Sequence, residues 1–128
     1  MIGSTRTLRA WAYPEPADLR AGFDGLAALV TSKLGRDPLS GHLFLFVNRT
    51  RTRAKVLLWD GTGLCIYQKR LEQGRFASPW RAGRASALEL TTSELALFLE
   101  GSRAIGRIAL SPEVFVPRPL AAPAAIMR

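Results

Sequence analysis

The sequence predicts an α+β domain: an antiparallel β-meander of about four to five strands packed by one main N-terminal helix, plus a short second helix. Three observations carry that expectation. Near the N-terminus, Leu19, Phe23, Leu26, Ala27, Val30 and Leu34 recur at spacings of three, four and one, which places them on one face of a helix. In the middle, residues 43–47, 55–59 and 64–67 are apolar runs of strand length joined by short links, and such strands pair antiparallel. The chain has 128 residues, 48% of them hydrophobic, enough for one modest core.

Each element follows from local chemistry. Residues 7–13 alternate loosely between apolar and polar side chains and read as a strand. Pro14 and Pro16 end it, and Pro16 suits the first turn of a helix, so the main helix is expected over residues 16–34. Gly22 and Gly25 lie inside that helix, where each costs up to about 1 kcal/mol relative to Ala; the expected compensation is close approach of another element. Gly35 supplies its C-terminal stop. Asp60-Gly61-Thr62-Gly63 is a hairpin turn signal between the last two strands of the meander. Residues 71–87 are polar and irregular, and residues 88–90 read as a short strand. Thr91-Thr-Ser-Glu94 has the spacing of a capping box, which starts the second helix over residues 93–100 before Gly101. The domain is expected to span residues 5–110. Residues 111–128 form a Pro/Ala-rich tail, interrupted by Pro112, Pro117, Pro119 and Pro123, that is expected to lack fixed structure.

Composition excludes several functions. The chain has one cysteine, Cys65, and one histidine, His42, so neither an internal disulfide nor a four-ligand zinc site can form. The first residues have no signal-peptide core, and no apolar stretch approaches the roughly 20 residues of a spanning helix. A cytoplasmic protein without membrane partners is the expectation.

Charge is the outlying property. There are 18 Lys+Arg against 10 Asp+Glu, a net charge of +8. Residues 1–48 contribute +1 and residues 85–128 are balanced. Residues 49–84 contribute +7, through Arg49, Arg51, Arg53, Lys55, Lys69, Arg70, Arg75, Arg81 and Arg84 against Asp60 and Glu72. Arg49, Arg51, Arg53 and Lys55 occupy every second position. In an extended strand they share one face at intervals of roughly 6.6 Å, a spacing comparable with successive phosphates of a nucleic-acid strand. This suits a basic ribbon on a polyanion. It equally suits a solvated hairpin tip that protects an edge strand from aggregation.

Catalytic constellations are weak. Asp24, Asp60 and Glu72 lie on a helix, a turn and a loop, and read as solvated or turn-forming groups rather than a two-metal site. His42 has no partner at triad spacing and reads as structural or exposed. Cys65 reads as a small buried hydrophobe. Gly61-Thr-Gly63 precedes a strand rather than a helix, so no phosphate-cradling loop is present. Trp59 and Tyr67 read as core residues. Phe76, between Arg75 and a loop, is the one aromatic open to a base-stacking role.

Ordered strings along the chain carry a resemblance. Asp18-Leu-Arg20 and Gly22-Phe-Asp-Gly-Leu26 come first; Gly41-His-Leu-Phe-Leu-Phe46, Arg49, Lys55, Leu57, Trp59-Asp-Gly61 and Gly63 follow; Lys69-Arg-Leu-Glu72, Gly74 and Phe76 complete the set. From about residue 8 to residue 101 the chain resembles the small accessory protein, called TnpB or Orf-two-like, of IS-sixty-six type insertion sequences. It departs from that pattern at Ala21, where a basic residue is usual, and in the spacing of Phe76 to Trp80. The resemblance implies a role and no catalytic residues: such proteins assist a separate transposase that carries the catalytic carboxylates. No enzyme activity and no cofactor are expected. The expected function is DNA binding through Arg49, Arg51, Arg53, Lys55, Lys69, Arg70 and Arg75 in support of transposition. The alternative is a protein–protein adaptor between the transposase and another element-encoded protein, with the basic surface against an acidic patch.

Overall fold

The computed structural model describes residues 7–80, 87–101, 104–105 and 108–109. The tail expected at 111–128, like Arg81 and Arg84, lies outside the described residues. The elements run β1 (Arg9–Ala12), α1 (Phe23–Ser32), β2 (Leu43–Val47), β3 (Arg53–Trp59), β4 (Leu64–Arg70), β5 (Leu88–Thr91), α2 (Thr92–Leu99), β6 (Ala104–Ile105) and β7 (Ile108–Ala109). The first five strands form one sheet in the order β4-β3-β2-β1-β5, and β6 pairs with β7 alone. The fold is α+β, with two helices among the described residues.

The meander β2-β3-β4 is antiparallel as expected. The rest of the sheet is not a meander. β1 lies parallel to β2, with Trp11 opposite Phe44, and β5 pairs antiparallel on the far side of β1. A parallel pair needs a crossover connection, and α1 supplies it, so β1-α1-β2 is a βαβ unit.

The sheet is apolar on both faces because a layer covers each. β2 is buried at all five positions, so it reads as a continuous apolar run rather than an alternating one. On one face Phe44, Phe46 and Leu57 cluster with Leu26 and Val30 of α1, and with Tyr13 and Ala17. On the other, Leu43, Leu45, Val47, Ala54, Val56, Leu88 and Leu90 cluster with Leu95 and Phe98 of α2, and with Phe76 and Ala77.

Helix α1 is shorter than the sequence suggests, starting at Phe23 rather than Pro16. Tertiary hydrogen bonds consume the first part. Tyr13 N donates to Leu45 O at 2.8 Å and Ala17 N to Val47 O at 2.9 Å, which carries the chain along β2 beyond the end of β1. The Asp18 carboxylate then takes Arg20 N and the Arg20 guanidinium, and Gly22 at the N-cap is extended. The close approach at Gly25 is made by the chain's own preceding turn: a Cβ there would lie 2.9 Å from the Cβ of Ala21. Past the helix end, Gly35 adopts φ 64° and Arg36 N closes onto Val30 O at 3.1 Å. Arg36 then stacks over the Trp11 ring at 3.5 Å, a cation–π contact with no local sequence signal.

Helix α2 begins with the expected capping box: Thr91 Oγ1 accepts from Glu94 N, and Glu94 Oε1 accepts from Thr91 N. Thr91→Ala is expected to cost about 1 kcal/mol, read as a lower urea midpoint at unchanged slope.

Candidate nucleic-acid interface

The expected basic ribbon over residues 48–55 is not one extended strand. Asn48 closes a turn there. Its side-chain Oδ1 accepts from Thr52 N and Arg53 N, and its backbone O accepts from Arg51 N at 3.0 Å. Arg51 has φ 61°, a left-handed conformation that breaks the alternation. Arg49 therefore lies on the turn, and only Arg53 and Lys55 alternate along β3.

The chain leaving β4 folds back over this turn. Leu71 N donates to Thr52 O at 2.8 Å and Phe76 N to Arg51 O at 2.7 Å, while the Arg51 guanidinium donates to Phe76 O at 3.2 Å. These bonds bring Arg75 to the same end of the sheet as Arg49, Arg53 and Arg70. They also bury Phe76, which has no exposure and stacks on Phe98 with centroids 5.5 Å apart. The base-stacking role considered for Phe76 is thereby excluded: its ring is core.

The structure sorts the seven expected cations by what their side chains touch. Arg51 is tied to Phe76. Lys55 Nζ donates to Ala21 O at 3.1 Å, just before the N-cap of α1. Lys69 Nζ donates to Leu99 O at 2.8 Å, which places a positive charge at the negative end of α2. Arg70 pairs with Glu72 at 3.2 Å, both largely exposed. Arg49, Arg53 and Arg75 are exposed and make no side-chain hydrogen bond or ion pair among the described residues.

One pairing stands out energetically. In the β3–β4 register Arg53 lies directly opposite Arg70, and Lys55 opposite Gln68. Directly opposed residues share a face, and like charges placed so are destabilising. Glu72 relieves Arg70 in part. Nothing described relieves Arg53, so fold stability does not account for this arginine.

Beside this pair is a groove of about 690 Å³. Arg53, Lys55, Gln68, Lys69 and Arg70 line it from the sheet, Asp18, Leu19 and Arg20 from the loop before α1, and Glu72 from the rim. Arg20 was not among the expected site residues; its only sequence signal was its place in Asp18-Leu-Arg20. It forms a two-pronged pair with Asp18, the closest approach being 2.7 Å.

The opposite end of the sheet carries the Asp60 turn. Asp60 Oδ1 accepts from Thr62 N and Gly63 N, both at 2.9 Å, and Oδ2 from the Cys65 thiol at 3.4 Å. Cys65 is half-buried rather than core, and burial together with the Asp60 carboxylate raises its thiol pKa. Trp59 is half-buried too, and Tyr67, expected in the core, is 51% exposed on β4. β4 is an edge strand, so Tyr67 has a neighbouring strand on one side only and less of its ring is covered. His42 is structural, with Nδ1 accepting from Arg9 N at 3.1 Å. Arg9 in turn pairs with Glu89 across β1 and β5.

The Asp60 turn has a pH signature. Its hydrogen bonds, led by those from Thr62 N and Gly63 N, lower its pKa from 3.8 to about 2, and the bonds from Arg20 do the same for Asp18. Carboxylates whose folded pKa is depressed stabilise the protein above their unfolded pKa and lose that contribution as pH falls through the folded value. The thermal midpoint is expected to drop as pH falls from about 4 towards 2. Asp60→Ala should lower the midpoint at neutral pH and flatten that drop in an acid titration followed by circular dichroism.

Among the described residues no three His, Cys, Asp or Glu side chains come together to hold a metal, and no helix is long and apolar enough to cross a membrane. The sequence matches the family described as IS66 Orf2 like protein over residues 8–106. The chain belongs to the IS66 Orf2-like family. It is an accessory protein associated with transposition of IS66-type insertion sequences. It is similar to two uncharacterised proteins of Sinorhizobium fredii (strain NBRC 101917 / NGR234). One, y4hO, is 36% identical over 101 residues, covering 79% of this chain and 86% of the relative. The other, y4jC, is 38% identical over 101 residues, covering 79% and 85%. No solved structure matches this IS66 Orf2-like chain.

Proposed function

We propose that this IS66 Orf2-like protein is a non-enzymatic, cytoplasmic accessory factor that binds DNA for the element's transposase. The contacts are made by Arg49, Arg53, Arg70 and Arg75 at one end of the sheet. The observation that carries this reading is the Arg53–Arg70 register pair, a like-charge juxtaposition that a polyanion would relieve. Arginine is the apt residue, because its planar fork meets phosphate oxygens two at a time. Arg51 and Lys69 drop out of the primary contact set, because their heads are held by backbone carbonyls within the fold; Lys55 donates to Ala21 O and lies in the groove beside that set. Phosphate contacts position a protein on DNA without specifying sequence, so sequence preference is expected to be small.

The test is a salt titration of duplex binding. Four phosphate contacts predict a slope of log K against log salt near −3.6, and the seven-residue ribbon would have predicted about −6. A flat response would remove DNA from the reading.

A further inference from the structure

We propose that the groove beside β3 holds the sugar–phosphate backbone of a single nucleic-acid strand, with its bases turned outward. This rests on the DNA-binding reading and names its substrate more closely: DNA with a single-stranded end or flap, rather than a plain duplex.

Size decides between duplex and single strand. The groove of about 690 Å³ falls within the size of a site for a small molecule or one extended chain. A duplex cannot be enclosed there, because two paired strands with their stacked bases need far more room than one backbone. A duplex lies across the end of the sheet instead, on Arg49, Arg53, Arg70 and Arg75. A single strand continuing from that duplex can enter.

The floor is built for phosphates. Arg53 and Lys55 are two residues apart on β3, roughly 6.6 Å along the strand. Arg70 and Gln68 face them from β4 in direct register. The four side chains thus share one face, and each carries N–H donors; the arginines and the lysine have no acceptor to repel an anion. Lys55 spends one of its three donors on Ala21 O and keeps its full charge. Arg20 faces them from the loop wall, which Ala17 N anchors to Val47 O.

Two cations in the groove are held by local carboxylates, Arg20 by Asp18 and Arg70 by Glu72. Both pairs are mostly exposed, and exposed pairs are weak. They keep the two guanidinium groups at the groove and yield them to a phosphate at small cost.

The lining also says what is not read. None of the described residues around the groove is aromatic; its apolar part is Ala17, Leu19 and Ala54. Phe76 is in the core. Stacking on aromatic rings is the usual source of base affinity in single-strand sites, and it is missing here. Binding therefore goes through the backbone, and base identity does not matter. A phosphodiester suits such a floor, because every unit carries a charge and its oxygens meet a guanidinium fork two at a time.

Fluorescence anisotropy with the full chain tests this using blunt duplex, the same duplex with a single-stranded overhang, a thymidine oligomer, an abasic oligomer of equal length and a polyglutamate peptide. The overhang is expected to tighten binding about tenfold over the blunt duplex, and the abasic oligomer to match the thymidine oligomer within about twofold. Arg20→Gln should remove the overhang's advantage without altering blunt-duplex affinity. Equal affinity for blunt and overhanging duplexes overturns the groove and leaves the DNA-binding reading standing. Failure to bind any nucleic acid overturns both. A strong preference for the thymidine over the abasic oligomer, or for polyglutamate over either, replaces the backbone site with a base-stacking or acidic-peptide site.

Discussion

Phe76→Ala is expected to lower the stability of the fold by about 3–5 kcal/mol. Its ring is fully buried and stacks on Phe98 with an interplanar angle of 8°. Stacked aromatic pairs add about 0.5–1.5 kcal/mol beyond the area they bury. The residue also joins two layers, because its backbone N and O both meet Arg51. Loss of the ring should free the segment carrying Arg75 and weaken DNA binding as a consequence. Urea unfolding checks the first effect. Phe76→Leu, which keeps most of the apolar volume, should recover more than half of the loss and restore binding. If Phe76→Ala left stability intact and abolished binding, the ring would be a ligand platform after all.

Phe76 also marks where sequence reasoning stops. Its neighbours Gly74 and Arg75 are polar or flexible, so local pattern puts it on an open loop. What buries it is a pair of hydrogen bonds to Arg51, 25 residues away. The features that were legible are those whose partners sit within a few residues. The Thr91–Glu94 capping box and the Asp60 turn are of this kind, because each closes on itself within three residues. The face of α1 was legible because Leu26 and Val30 keep helical spacing. Its start was not, because Ala17 N is taken by Val47 O from a strand 30 residues on. The same applies to the sheet. The β3-β4 hairpin announces itself through the Asp60 turn and β2 through its apolar run, whereas the Asn48 turn between β2 and β3 reads as extended in the sequence. The parallel partnering of β1 and β2, and the placing of β5 outside β1, depend on packing that no local turn encodes. For the candidate site, composition located the charge in residues 49–84 but period-two spacing misplaced it. The left-handed Arg51 turns the ribbon into a turn, and Arg51, Lys55 and Lys69 each donate to a backbone carbonyl of the fold.

Reversing the charge of Arg53 separates function from folding more cleanly than truncation. In the wild-type register Arg53 faces Arg70, a repulsive pair. Arg53→Glu converts it to an attractive one, and an exposed cross-strand pair of this kind contributes about 0.2–1 kcal/mol. Stability should therefore hold or rise slightly, by less than about 1 kcal/mol because Glu72 already competes for Arg70. DNA affinity should fall instead: one phosphate contact is lost and a repelling carboxylate takes its place, so at least a tenfold loss at moderate salt is expected, with the salt slope reduced by about 1–2. Thermal melting and anisotropy on the same sample read the two effects. Arg70→Glu alone should resemble Arg53→Glu in binding but gain less stability, because Glu72 then faces a new like charge. The double reversal completes the cycle: two glutamates face each other, the stability gain disappears, and binding does not return. Arginines that only solvate the hairpin would give the same stability pattern with DNA affinity unchanged in all three variants.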